Sequence, residues 1–285
     1  MTEIVPHLSR ITIFPIKSLD GVAVTEAQFT PGGALKHDRE FCLVDADGKV
    51  INGKRTATIH RLRTSFDFAG QTVALQVQGT DGRHTFHLYQ ERAELEAWFG
   101  RYFGFPVLLR HNTITGFPDD PYGKGPTVIG AQTLSEITSW FPDLTAEDVR
   151  RRFRANLEIG DVPPFWEDRL CAEEGSVVQF AVGAVMLEGM MPWPRCVVPS
   201  RDPQTGKENH EFQRRFAQRR EATMPAWTPR ARFDHFYKLC VNTQVPRAQT
   251  GMALRVGDEV RILGSMSPTP APPAATCSGA RLPLR

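Results

Sequence analysis

Over its first 110 or so positions the chain sets short β-branched and aromatic runs between turn residues, the pattern of strands. RITIFPIK alternates Ile11 and Ile13 with polar neighbours and stops after Phe14; VTEAQFT follows as a second short run. REFCLVDADGKVING predicts a hairpin, because Asp47-Gly48 suits the positive φ of a tight turn. HTFHLYQ and FPVLLRHN predict further strands. Between them, ERAELEAWFGRYFG places Leu95, Trp98, Phe99 and Phe103 at helical spacing, a stripe suited to covering a core. The patterning breaks at residues 112–128, NTITGFPDDPYGKGPTV, where Gly, Pro and Asp predict a linker. Beyond it TLSEITSWF and TAEDVRRRF predict helices, the second opened by Thr145 with Asp148 three residues on, as in a capping box. ANLEIG, GSVVQFAVGAVMLEG, HFYKLCVNTQV and ALRVGDEVRIL return to strand patterning. After Gly264, Pro, Ala and Ser dominate and predict a disordered tail.

These elements predict a mainly β (α+β) chain of two domains. An N-terminal barrel-like domain would span residues 1–111, a second barrel with a small helical insert residues 112–264, and the tail residues 265–285. A chain of 285 residues with 41% hydrophobic content is long and apolar enough for packed cores. Its 34 Lys and Arg against 32 Asp and Glu leave a net charge of +2. That gives no overall drive toward nucleic acid or an anionic membrane, so any anion binding must be local. MTEIVPHLSR lacks the basic region and apolar run of a secretion signal, and no stretch approaches the ~18 apolar residues of a membrane span. The five cysteines (42, 171, 196, 240 and 277) are scattered, odd in number and free of C-x-x-C spacing. This argues against a disulfide framework or a cysteine-rich metal cluster and makes a reducing cytoplasm the expected location.

The segment PWPRCVVPSRDPQTG, residues 192–206, stands out from this background. Two prolines stiffen the approach to Arg195-Cys196, and an adjacent guanidinium favours the thiolate, the nucleophilic and metal-binding form of cysteine. A small apolar loop residue is the plainer reading of a lone cysteine, and the setting balances the two. Cys42, Cys171 and Cys240 sit in apolar or strand contexts and read as core. Lys17-Ser18 enters a turn ending at Gly21, where an ammonium and backbone N–H groups can meet a phosphate; a solvated strand end is the plainer reading. Arg39, in His37-Asp38-Arg39, either clamps a phosphate with its planar fork or pairs with Asp38, and Gly53-Lys54-Arg55 is open in the same way. Arg150, Arg151 and Arg152 read as a solvated helix face with some phosphate affinity. Arg154 and Asn156, two apart in a strand, would share one face and offer paired donors to a heterocycle. Glu167-Asp168 has the look of an acid–base pair, but a loop ion pair with Arg169 is the plainer reading. No H-E-x-x-H, G-x-S-x-G, Walker or G-x-G-x-x-G motif occurs.

Taken together, IFPIKSLDG, GGALKHDREFCLVDADG, NGKR, RFRANLEIG, PFWED, RCVVPSRDPQTG and GMALRVGDEV, in this order across about residues 8–264, resemble the MOSC proteins, in which an N-terminal β-barrel domain precedes the MOSC domain. The similarity points to the branch around the mitochondrial amidoxime-reducing component and its bacterial relatives. The resemblance implies a molybdenum cofactor, a pterin dithiolene bearing a terminal phosphate. It would make Cys196 the metal ligand and catalytic residue, a soft thiolate on a soft-binding centre. Lys17, Ser18, Arg39, Thr133, Arg154, Asn156 and Arg195 would hold the cofactor. Two positions depart from the family pattern: Pro194 replaces a small polar residue and Phe236 a common tyrosine. The implied activity is reduction of N-hydroxylated or related N-oxygenated small molecules. Electrons would come from separate flavin and iron–sulfur or haem proteins, with no nucleic-acid or membrane partner. The alternative is a cofactor or sulfur carrier module with persulfide on Cys196.

Overall fold

The alternation at Ile11 and Ile13 forms β1 (His7–Ile13) in the computed structural model, which describes residues 5–120 and 123–269. There follow β2 (Val22–Val24), β3 (Glu26–Gln28), β4 (Phe41–Val44), β5 (Leu62–Asp67), β6 (Thr72–Val77) and β7 (Arg83–His87). Helix α1 (Arg92–Phe103) and β8 (Leu108–His111) complete this part of the chain. The rest runs β9 (Val128–Gly130), α2 (Ala131–Trp140), α3 (Ala146–Phe153), β10 (Leu157–Gly160), β11 (Val177–Val182), β12 (Val185–Pro194), α4 (Phe212–Ala222), β13 (Lys238–Gln244), β14 (Ala253–Arg255) and β15 (Val260–Met266). The chain is mainly β, as its patterning predicts.

Eight strands form one sheet in the order β15-β11-β12-β13-β9-β10-β1-β2. Leu8 on β1 lies opposite Ile159 on β10. The sheet curls until its edge strand, β15, meets the start of β1 near the other edge: Leu8 N donates to Asp258 O at 2.8 Å and Val260 N to Pro6 O at 2.7 Å. Inside the curl pack Leu8, Ile11, Phe180, Leu187 and Val241. A second core, with Leu43, Leu62, Val73 and Leu75, lies under Leu95 and Phe99 of α1 and holds the β4–β8 pair and the β5–β6–β7 sheet. The third joins α2, α3 and α4 through Ile137, Phe153, Phe212 and Phe216. The sequence boundary at 111/112 therefore does not divide the sheets, because β1 and β2 pair within the sheet built from the second half.

Several local expectations are corrected. The strand expected to return from the Asp47-Gly48 turn amounts to a single bridge between Val44 and Val50. Helix α4 escaped the periodicity because its inward stripe is Phe212, Phe216 and Arg220, the last an arginine only 1% exposed. Arg220 binds Asp168 and lies 4.0 Å from the Phe165 ring centroid, while Thr228 Oγ1 donates to Asp168 at 2.6 Å. Asp168 thus pairs with Arg220, and Arg169 stacks on Trp227 at 4.4 Å instead of closing the expected ion pair. The capping box at Thr145 and Asp148 is present. Strand β15 continues through Met266, and Thr269 donates to Glu188; residues 270–285, with Cys277 and most of the expected tail, lie outside the described residues.

Two stability predictions follow from buried charge. Asp168→Ala leaves Arg220 without its carboxylate in an apolar core, and a loss of about 3–5 kcal/mol is expected in urea unfolding. Glu40 accepts hydrogen bonds from His37 Nδ1 at 2.7 Å, His111 Nε2 at 2.6 Å and Tyr89 Oη at 3.0 Å. Burial alone would raise its carboxyl, but these bonds outweigh burial and hold it at about 2. Its stabilisation is therefore complete above the ordinary carboxylate range and is lost as pH falls toward 2. Glu40→Gln should lower stability by on the order of 2–3 kcal/mol at pH 7, and the gap to wild type should close between pH 4.5 and 2 in acid unfolding.

Candidate functional site

Strand β1 ends at Ile13, and the chain then turns past Phe14 into the Lys17-Ser18 loop. This loop, the His37–Glu40 loop, the end of α3 and the segment around Cys196 enclose a cleft of about 280 Å³. Twelve Lys and Arg and five Asp and Glu line it, an excess of seven positive charges in a chain whose whole excess is two. The positive charge that composition left nearly balanced over the whole chain is concentrated here.

Three of the lining residues, Ser18, Arg39 and Arg154, take left-handed backbone conformations, with φ of 74°, 49° and 54°. Such a conformation costs a non-glycine residue roughly 1–2 kcal/mol, and it persists only where surrounding bonds impose it. Arg39 N donates to Phe14 O at 2.8 Å, and Phe14 N donates back to Asp38 Oδ1 at 2.8 Å. Arg154 is the C-terminal cap of α3, its N–H bonded to Arg150 O at 2.9 Å. It is thus not on a strand, and the face-sharing expected for Arg154 and Asn156 does not occur.

Phe14 is the floor of this corner. The Arg154 guanidinium carbon lies 4.1 Å and that of Arg39 5.4 Å from its ring centroid. Arg39 pairs with Asp38 and also lies 3.4 Å from Asn156 Oδ1, so it is at once a structural ion pair and a cleft cation. Asn156 stands behind the cleft wall, 1% exposed, with Nδ2 donating to Thr12 O at 3.0 Å and Oδ1 accepting from Thr127 N at 3.1 Å. Arg154 donates to Leu19 O at 2.7 Å, and no carboxylate among the described residues lies within ion-pair distance of it. Burial, then repulsion from Arg39, bring its pKa down to about 10. Lys17 Nζ binds Asp119 Oδ1 at 2.7 Å and Phe117 O at 2.8 Å.

Cys196 faces the same cleft from a loop fastened by guanidinium-to-carbonyl bonds. Arg195 donates to Phe153 O, Arg152 to Pro199 O at 2.9 Å, and Arg63 to Pro203 O at 3.0 Å. The D-P-x-T-G turn completes the fastening: Asp202 Oδ1 accepts from Thr205 N and Oγ1, each at 2.8 Å. Gly206 has φ of 75°, and a Cβ there would lie 2.3 Å from Ala57 O, so only glycine lets the turn close on the N-terminal half. Cys196 is half-buried, whereas Cys42, Cys171 and Cys240 are buried. Burial pushes the thiol of Cys42 up to about 11 and that of Cys240 up to about 12, and it raises Cys171 as well.

The structure therefore gathers Lys17, Ser18, Arg39, Arg154, Arg195 and Cys196 on one cleft and sets Asn156 behind it. It does not bring Thr133 there: that residue is fully buried, its Oγ1 donating to Glu167 Oε2 at 2.9 Å and accepting from Phe165 N at 2.7 Å. Phe236 stacks on Phe233 and lies beneath Arg230, off the cleft. Sequence reasoning missed His60, which burial, with Arg154 adding, brings down to about 4, and Arg63, which lines the cleft 140 positions before its carbonyl partner Pro203. It also misjudged Arg152, which is 6% exposed and not part of a solvated helix face. Nothing local in the sequence marks any of the three. Among the described residues no group of three or more His, Cys, Asp or Glu is placed to hold a metal ion. No described helix is long and apolar enough to cross a membrane.

One measurement checks the thiol assignment. In a Cys277→Ser background at pH 7.5, iodoacetamide should add a single label to the native protein, on Cys196, and none in the same background with Cys196→Ala. Mass spectrometry of the intact chain reads both outcomes.

Residues 5–103 match the MOSC N-terminal beta barrel domain. A molybdenum cofactor sulfurase of Oryza sativa subsp. japonica is 24% identical over 207 residues, covering 57% of this chain and 25% of that protein. Those of Danio rerio and Caenorhabditis briggsae are 25% and 22% identical, covering 56% and 72% of this chain and 25% and 30% of theirs. The chain thus spans about a quarter of the length of the first two and somewhat more of the third. A solved structure, YiiM from Geobacillus stearothermophilus, aligns with 49% of the chain at a TM-score of 0.27 and 11% identity, too distant to argue from. Residues 5–103 are thus similar to the MOSC N-terminal beta barrel domain, and more than half of the chain is similar to part of the molybdenum cofactor sulfurases.

Proposed function

We propose that the cleft binds the molybdenum cofactor and that the protein uses it, with Cys196 as metal ligand, to reduce N-hydroxylated or other N-oxygenated small molecules. The observation that carries this reading is the meeting, in one cleft, of a half-buried thiol with an excess of seven positive side chains. The residues fit the group. Lys17, Ser18 and Arg39 would hold its phosphate, Arg154 and Arg195 would face its pterin, and Cys196 would give one soft ligand to a metal that brings its others with it. When bound, the cofactor would supply a metal able to take up an oxygen atom and change oxidation state by two electrons.

The chain's own contribution is positioning and charge. Phe14 holds the Arg154 and Arg39 guanidiniums against an aromatic face, and the fastened 195–206 loop fixes the thiol. Reducing R–NH–OH to R–NH2 consumes two electrons and two protons and releases water. The electrons would come from separate flavin and iron–sulfur or haem proteins.

A second reading, a cofactor or sulfur carrier with persulfide on Cys196, is favoured by one observation: the relatives are named molybdenum cofactor sulfurases. The two readings separate in one experiment. Protein purified from a host that makes the cofactor is assayed for molybdenum, released pterin, and turnover of an amidoxime with a chemical electron donor. About one metal per chain and turnover lost in Cys196→Ala support the reductase. Cyanide-labile sulfur on Cys196 without turnover supports the carrier, and neither metal nor pterin in a folded sample excludes the cofactor.

A further inference from the structure

Asp119 is a carboxylate where an anion-binding cleft has no evident need of one. It lies in the segment that the sequence marks as a linker, yet that segment is stitched to the cleft. Phe117 N donates to Arg39 O at 2.8 Å, Lys17 Nζ to Phe117 O at 2.8 Å, and Gly125 N to Thr243 O at 3.0 Å. Other cleft carboxylates have structural work. Asp38 accepts from Phe14 N, Asp20 from Arg63 and Thr64 N, and Glu147 pairs with Arg150 along α3. Among the described residues Asp119 holds no backbone group; its Oδ1 sits 2.7 Å from Lys17 Nζ.

The pairing is asymmetric. The Lys17 side chain is 11% exposed and that of Asp119 is 59% exposed, so the ammonium is fixed and the carboxylate stands on the open side. Burial would raise the Asp119 carboxyl, but Lys17, then Arg39, with Lys54 further off, hold it at about 2. It stays ionised at any working pH and faces cations from three separate stretches of chain. A phosphate approaching Lys17 and Arg39 from the cleft meets this negative charge first.

We propose that Asp119 is an internal counter-anion, which holds Lys17 in the free protein and competes with the phosphate of an incoming ligand for the same ammonium. The proposal rests on the cleft being a phosphate site, and not on the metal or the reaction. Competition of this kind narrows what the cleft accepts: a ligand must offer Lys17 more than a carboxylate already does. Fully charged phosphate meets that demand, and neutral or weakly charged ligands do not.

The test is titration of inorganic phosphate by calorimetry into the full chain, made in a host unable to synthesise the cofactor, at pH 8 and low salt. Four proteins are compared: wild type, Asp119→Asn, Asp119→Glu and Lys17→Met, each first checked for an unchanged circular dichroism spectrum. Asp119→Asn should bind at least about fivefold more tightly than wild type, and the gain should shrink as salt is raised. Asp119→Glu should behave as wild type, because it restores the competing charge. Equal or weaker binding by Asp119→Asn overturns the proposal and makes Asp119 a support for Lys17. If wild type then still binds and Lys17→Met does not, the phosphate site itself survives. Binding retained by Lys17→Met, or absent from every protein, overturns both the competition and the placement of phosphate at Lys17.

Discussion

Like-charge repulsion is the constraint that the rest of the site answers. A cleft with seven more positive than negative side chains opposes its own folding, and a buried guanidinium without a counter-charge is costly. Most of the cleft cations are met by carboxylates, several from just outside the lining, but the arginines at its centre rely also on neutral partners. Arg154, Arg195 and Arg152 donate to main-chain carbonyls and lie near the rings of Phe14, Phe153 and Phe212. A guanidinium tolerates such company because it is flat, delocalised and weakly hydrated, where an ammonium would not. At Arg154 and Arg195, which have no carboxylate within ion-pair distance among the described residues, the charge is held without being cancelled.

The same bonds shape the loop that presents Cys196. Each arginine that gives a hydrogen to a carbonyl also ties one chain segment to another: α3 to the 199–201 turn, β5 to Pro203, and the residue before Cys196 to the end of α3. Charge placement and thiol placement are therefore one arrangement. Left-handed residues at Ser18, Arg39 and Arg154 concentrate at its edge, where conformational strain is exchanged for side-chain direction.

How much of this could be read in advance follows from how far each signal reaches along the chain. The strands from β1 onward, the stripe of α1 and the capping box of α3 are local patterns, and the residues themselves specify them. The grouping of Lys17, Arg39, Arg154 and Cys196 was legible only through resemblance, since no spacing links positions so far apart. Helix α4 was hidden because a buried arginine takes the place of its third apolar residue, and that substitution makes sense only once Asp168 is known to face it. Thr133 was misplaced for the opposite reason. Its helical context is ordinary, and only the fold shows that its hydroxyl is spent on Glu167 and Phe165. Arg63 and Arg152 act on a loop that the chain reaches many residues later, a distance over which sequence patterning carries nothing.

The pairing of β1 with β10 has a consequence for the life of the chain before it is finished. Strand β1 finds β2 at once, but His7 lies opposite Gly160, so its other edge waits for about half the polypeptide to be made. Loop closure over such a separation is slow and comes late. Asn156, behind the cleft wall, and Arg154, over Phe14, belong to this late stretch, and the loop that carries Cys196 is made later still. The cleft is therefore among the last features to exist as the protein is synthesised. Any group that lodges there must be inserted into a nearly complete molecule, and cannot act as the template around which the chain first folds.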